Sequence, residues 1–329
     1  MRLPRLSLVA SLAALCLALS AAPPAAAGAT VSDHMFEHQG RGRTYRVVVP
    51  KGHDKAKPVP LVLAIHGGGG TAELFDRSAG GQFAREADAR GWVVVFPQGI
   101  EKGWNDGRKV ETPQGRRRAK IDDVGFLSAV IDRVHASHGI DRTRVYATGI
   151  SNGGFMSIRL GLDLADKIAA VAPVTAQLQA VHRERTPAHP VGLMVINGTK
   201  DPLVPYDGGH VTVMGRKRGA ILSTDATIAR WRALNGCTQD AKPVAIADKD
   251  PKDGTKSTIT RYAACAKGAE VVLVRVEGGG HAWPGGRQYF GERLIGKVSR
   301  DFQAVPLIFD FFARHKRASA APATTPSSK

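Results

Sequence analysis

Residues 146–157 read YATGISNGGFMS, a serine with a glycine two positions away on each side and another glycine beyond. Surrounding one hydroxyl with residues that lack side chains makes sense where backbones crowd together. Arg144-Val145-Tyr146-Ala147 is β-branched and aromatic and predicts a short strand, and the chain from Ser157-Ile158-Arg159-Leu160 onward predicts a helix. A serine at so sharp a strand-to-helix turn takes a strained backbone, and Gly149 and Gly153 leave room for it. Gly149-Ile150-Ser151-Asn152-Gly153 thus has the pattern of a nucleophile elbow. Such an elbow lifts Ser151 Oγ above a sheet and points the Asn152 N–H at the same space. The chemistry would be acyl transfer. A five-residue Gly/Ser pattern also fits an ordinary turn, so the reading depends on partners elsewhere in the chain.

An acyl-transfer serine needs a base, an acid to orient that base, and N–H donors for an oxyanion. In an elbow-bearing α/β sheet the order along the chain is serine, acid, histidine. A predicted strand at 191–196 runs into Asn197-Gly198-Thr199-Lys200-Asp201-Pro202, which places Asp201 just past a strand end. Its alternative use is a turn residue beside Pro202. Asp207 and Glu277 are rival acids without the same run after a strand. Of eleven histidines, His281 stands out: it follows a predicted strand at 271–276 within EGGGHAWPGG, where three glycines predict a loop free to carry the imidazole over the elbow. HGGGG, residues 66–70, follows a predicted strand at 61–65, where the second oxyanion donor belongs, and Gly68 is the candidate. No Gly-Lys-Ser/Thr follows, which excludes a phosphate loop. His66 then reads as a structural support.

These groups require a scaffold. Further predicted strands at 45–49 and 92–96 alternate with predicted helices at 75–90, 123–138, 225–234 and 302–315. Alternation of this kind predicts an α/β fold, a largely parallel central sheet with helices on both faces. Arg2 and Arg5 ahead of an apolar run from residue 6 to 19, then Ala25-Ala26-Ala27, predict a cleaved leader at 1–27 and hence export. One catalytic domain is expected over 28–317, with an Ala/Pro/Thr/Ser-rich disordered tail at 318–329.

Cys237 and Cys265 are the cysteines left after the leader, and an even pair in an exported chain predicts a disulfide. Closing that loop is worth roughly 3.5 kcal/mol in the chain-entropy account. The chain carries 46 Lys and Arg against 29 Asp and Glu, a net charge of +17. Its clusters, Arg116-Arg117-Arg118 and Arg216-Lys217-Arg218, are short and lack interleaved aromatics, so nucleic acid is not the expected partner. A basic exported protein that adheres to anionic surfaces is. No His/Cys/Asp group has metal-ligand spacing, and neither metal nor cofactor is expected.

Taken together, HGGGG, WNDGR (104–108), DDVGFL (122–127), GISNGG, NGTKDPLVPYDGG (197–209), WRALNGC (231–237) and GGGHAWPGG resemble the secreted polyhydroxybutyrate depolymerase-like esterases. These are grouped with the feruloyl and acetylxylan esterases of the first carbohydrate esterase family. The resemblance spans residues 32–315. It implies an α/β-hydrolase fold and a cofactor-free serine carboxylesterase with Ser151 as nucleophile, Asp201 as acid, His281 as base, and Gly68 and Asn152 as oxyanion donors. The implied substrate is a polyester oligomer, or alternatively a feruloyl or acetyl ester of plant polysaccharide. Two features depart from the polymer depolymerases: many of those carry a linker and a polymer-binding domain where a short tail is expected here, and Gly68 stands where several of them have Cys. A catalytically idle surface-binding protein on the same fold is the reading outside enzymology.

Overall fold

The computed structural model describes residues 28–318. The expected leader, and all but the first residue of the expected tail, lie outside them. The strands in chain order are Thr30–His38 (β1), Arg41–Val49 (β2), Val59–Ile65 (β3), Val93–Pro97 (β4), Ile140–Ile150 (β5), Ala170–Val174 (β6), Gly192–Gly198 (β7), Gly209–Val213 (β8), Arg216–Ile221 (β9), Val244–Ala245 (β10), Lys256–Tyr262 (β11) and Val271–Glu277 (β12). Ten of them form one sheet in the order β1-β2-β4-β3-β5-β6-β7-β12-β11-β10, and β8 with β9 makes a separate hairpin. From β4 to β12 in that order neighbours are parallel, and the outer strands at both ends are antiparallel.

The helices are Ala72–Ser78 (α1), Gln82–Arg90 (α2), Pro113–Arg118 (α3), Asp123–His138 (α4), Asn152–Asp163 (α5), Thr224–Leu234 (α6), Glu292–Ile295 (α7) and Ala304–Ala313 (α8). Successive strand residues point to opposite faces. Leu61, Leu63, Val93 and Val95 meet Phe126 and Val130 of α4, Met156 and Leu160 of α5, and Trp231 of α6. Val62, Ala64, Val94 and Phe96 meet Phe75 of α1, Phe83 of α2, and Ile308 and Phe309 of α8. Because both faces are covered, the central strands carry continuous buried apolar runs such as 61–65, 93–96 and 193–196 instead of alternating, as a parallel sheet requires. The expected α/β fold is the one observed.

Two local expectations change. The helix expected at 75–90 is two helices, broken where Gly80 and Gly81 take φ of 75° and 68°. The helix expected from Ser157 begins at Asn152, directly after the serine. The strand β6, AVAPV, adds to the predicted set; its Pro173 lies opposite Gly149 in the sheet interior. β1, the β8–β9 hairpin, β10 and β11 also add to the predicted set. Parallel strands leave the loops after β3, β4, β5, β6, β7 and β12 at one edge of the sheet, and that carboxyl edge is where α/β folds place their sites.

Candidate active site

Ser151 joins β5 to α5 with φ 54° and ψ −119°, a backbone conformation sparse for any residue with a Cβ. Its N–H donates to the Val174 carbonyl at 2.9 Å and to Thr175 Oγ1 at 3.2 Å, so the loop after β6 holds the elbow from beneath. A Cβ on Gly149 or Gly153 would overlap the Ile65 carbonyl. The glycines flanking the serine are therefore there for close approach to β3.

That approach brings the 66–70 loop against the elbow. A Cβ on Gly68 would lie 3.7 Å from Asn152 Cβ, so the two expected oxyanion donors are neighbours. Gly69 N–H donates to the Lys102 carbonyl at 2.7 Å and Gly70 N–H to the Gly67 carbonyl at 3.1 Å. Asn152 opens α5, and the first N–H of a helix has no intrahelical acceptor. His66 is buried beneath the loop, with Nδ1 bonded to the Gly67 carbonyl at 2.8 Å and Nε2 accepting from Gly99 N–H at 3.0 Å. The acceptor role at Nε2 requires a neutral ring, and burial pushes this imidazole down to about 4. His66 is the support the sequence predicted.

Asp201 leaves β7 and His281 leaves β12, adjacent strands whose following loops meet. His281 Nδ1 donates to Asp201 Oδ2 at 2.7 Å, with both residues buried. Asp201 Oδ1 accepts from Leu203 and Val204 N–H, each at 2.8 Å, which fixes the carboxylate. Tyr289 Oη donates to the His281 carbonyl at 2.7 Å. The glycines before His281 do not supply freedom: a Cβ on Gly280 would run into the Ile295 carbonyl, and one on Gly198 into the Gly279 carbonyl. Of the rival acids, Glu277 bonds Thr199 Oγ1 at 3.0 Å and Arg275 at 3.0 Å, and Asp207 is exposed.

The structure also gives a role to WNDGR, which the sequence showed as a motif without a function. Asn152 Oδ1 accepts from Trp104 N–H at 2.8 Å. Its Nδ2 donates to the Trp104 carbonyl at 3.1 Å and to Asp106 Oδ2 at 2.7 Å. Arg108 closes on Asp106 through Nε and Nη2, at 3.0 and 2.7 Å to Oδ2, with its guanidinium 3.9 Å from the Phe155 ring centroid. Trp104 Nε1 donates to the His66 carbonyl at 2.9 Å. The residue beside the serine is thus clamped through every polar atom of its side chain. DDVGFL holds the clamp in turn: Asp123 Oδ2 accepts from Asn105 N–H at 2.7 Å while Oδ1 pairs with buried Arg43 at 2.6 Å. Cys237 and Cys265 are joined as a disulfide.

No family profile matches the chain. It is 31% identical over 302 residues to "Putative esterase NocK" of Nocardia uniformis subsp. tsuyamanensis, covering 87% of this chain and 83% of that one. It is 31% identical over 244 residues to feruloyl esterase B of Piromyces equi, over 72% of this chain, but spans 42% of that protein's length. To the bifunctional acetylxylan esterase/xylanase XynS20E of Neocallimastix patriciarum it is 25% identical over 77% of this chain and 33% of that one. Among solved structures, a thermostable esterase superposes with a TM-score of 0.53 at 15% identity, over 87% of this chain and 63% of that one. The acetyl xylan esterase from Aspergillus awamori superposes with a TM-score of 0.52 at 15% identity, over 76% and 94%. Those two superpositions show the α/β-hydrolase fold, and on its identity to NocK across more than four-fifths of both chains the protein belongs to the esterases.

Proposed function

We propose that this esterase works through an acyl-enzyme on Ser151. His281 Nε2 takes the hydroxyl proton as Ser151 Oγ attacks the ester carbonyl, and Asp201 holds the ring with Nδ1–H toward itself and balances the imidazolium. The Asn152 and Gly68 N–H groups receive the oxyanion, each such donor being worth about a hundredfold or more in kcat. The protonated imidazole then releases the alcohol, and water activated by the same ring hydrolyses the acyl-enzyme. The observation carrying this reading is the 2.7 Å Asp201–His281 hydrogen bond, made between loops that leave neighbouring strands on the elbow's edge of the sheet. A fluorophosphonate probe tests it: peptide mass spectrometry should find one adduct, on Ser151. An adduct on another residue, or none with active enzyme, would overturn the assignment.

For the acyl group, the relatives named as feruloyl and acetylxylan esterases favour an ester borne by plant polysaccharide over a polyester oligomer. Gly68, where several polymer depolymerases have Cys, points the same way. Turnover of methyl ferulate, acetylated xylan and hydroxybutyrate oligomers ranks the two, and the polyester reading prevails if the oligomers have the highest kcat/KM. Export is proposed on the expected leader and on the Cys237–Cys265 bridge, a bond that persists in oxidising surroundings. No helix among the described residues is long and apolar enough to cross a membrane.

A further inference from the structure

The two basic clusters of the sequence, about a hundred residues apart, come together at the carboxyl edge of the sheet. Arg116, Arg117 and Arg118 form the last turn of α3 in the loop after β4, and Arg216, Lys217 and Arg218 open β9 in the loop after β7. The hairpin leans on the β4 loop: a Cβ on Gly219 would lie 2.8 Å from Arg108 Cβ and 3.3 Å from the Lys109 carbonyl. The Arg118 guanidinium packs against Gly103, whose neighbour Trp104 bonds Asn152 beside the serine. Burial lowers the Arg118 guanidinium below its usual range against the pull of Asp106, Glu101 and Asp123, and Arg218 adds a smaller repulsion.

Residues 103–121 and 205–224 carry nine Lys and Arg against three Asp and Glu. One of the three, Asp106, is buried against Arg108. Arg117 reaches Glu101 at 3.5 Å. Among the described residues no carboxylate pairs with Lys109, Arg116, Arg118, Arg216, Lys217 or Arg218. Like charges gathered on an exposed rim repel one another and contribute nothing to folding, so their complement lies in what binds. Trp104 and Tyr206, the aromatics of the two segments, are buried, which leaves no platform for nucleic-acid bases. Met214 is their one large exposed apolar side chain, too little for a lipid surface.

We propose that the alcohol side of the substrate is an acidic polysaccharide, whose uronate carboxylates near the esterified hydroxyl dock on this rim. The inference rests on the esterase reading of Ser151 and adds its substrate class. A rim of this kind acts through KM and fades with salt, because exposed charges are screened within about 8 Å at physiological ionic strength.

The experiment compares acetylated glucuronoxylan with the same polymer stripped of glucuronate by an α-glucuronidase. Wild-type kcat/KM should be about fivefold or more higher on the acidic polymer at low salt, converging at high salt. The double variant Arg216→Glu/Arg218→Glu should lose that preference through KM, with p-nitrophenyl acetate turnover unchanged. Binding of Ser151→Ala protein to the two polymers, by cosedimentation, should show the same preference without turnover. Equal kcat/KM on both polymers, or a preference that survives the double variant, would overturn the proposal. If wild type fails on p-nitrophenyl acetate, the esterase reading falls instead, and the cosedimentation still decides whether the rim selects carboxylates.

Discussion

Ser151 is positioned by five consecutive residues, whereas Asp201 and His281 reach each other from loops 80 residues apart. In the first region sterics decide: glycines let β3 and α5 close on the serine until its backbone has one conformation left. In the second, two loops cross through Gly198, Gly279 and Gly280, and hydrogen bonds from Leu203 and Val204 aim the carboxylate. The turn at Ser151 is written in one short stretch that β3 and the loop after β6 then close, whereas the Asp201–His281 pair exists only where two distant loops meet. Damage to the two regions should therefore differ in size and in kind.

The largest effect should come from Ser151→Ala, which removes the oxygen proposed to attack and should leave the fold intact. Loss of one member of a cooperating triad costs about four to six orders of magnitude in kcat. Retention of more than about a tenth of wild-type activity would be incompatible with any role for the elbow in the chemistry. Asp201→Asn comes next. It keeps the shape but offers Nδ1 a donor, holding the ring in the wrong tautomer, and kcat should fall by about three to four orders of magnitude. Asp106→Asn should be milder, lowering kcat by about ten- to a hundredfold with KM nearly unchanged, because it loosens the clamp on Asn152 without touching substrate. A rise in KM at constant kcat would assign Asp106 to substrate binding instead.

Asp207→Asn and Glu277→Gln should stay within about tenfold, since one carboxylate is exposed and the other is engaged by Thr199 and Arg275. Either of them proving more damaging than Asp201→Asn would move the acid and leave the serine in place. His66 sharpens the contrast through stability instead of rate. Its folded value of about 4 lies below the unfolded value near 6.5. Between the two the unfolded chain holds the proton and the folded chain does not, so stability is full above about 6.5 and declines as pH falls toward 4, by about 3 kcal/mol. Denaturant unfolding at pH 7 and pH 4.5 should show this slope in wild type and a shallower one in His66→Gln.

The same contrast explains what could be read from the chain alone. Gly149, Ser151 and Gly153 lie within five residues, and 61–65 and 271–274 are apolar runs, so each was visible within a short window. Asp201 and His281 could be ordered along the chain, but their contact depends on β7 and β12 being neighbours, and no local pattern records that. Asp106 was visible within WNDGR and had no meaning there, since its partner Asn152 lies 46 residues on. β6 holds a proline, whose missing N–H argues against an inner strand, yet Pro173 occurs where β5 turns toward the elbow. The glycines before His281 suggested mobility, and in the fold they permit contact.

The backbone of Ser151 has a further consequence, for the protein's history more than its rate. A residue with a Cβ held at φ 54° and ψ −119° costs about 1–3 kcal/mol, and glycine would hold that turn at less strain. Stability by itself would erase the serine, so its presence marks a position where selection has acted against the preference of the fold. Drift in a lineage released from ester hydrolysis would then begin here, with Ser151→Gly the substitution the structure accepts most readily.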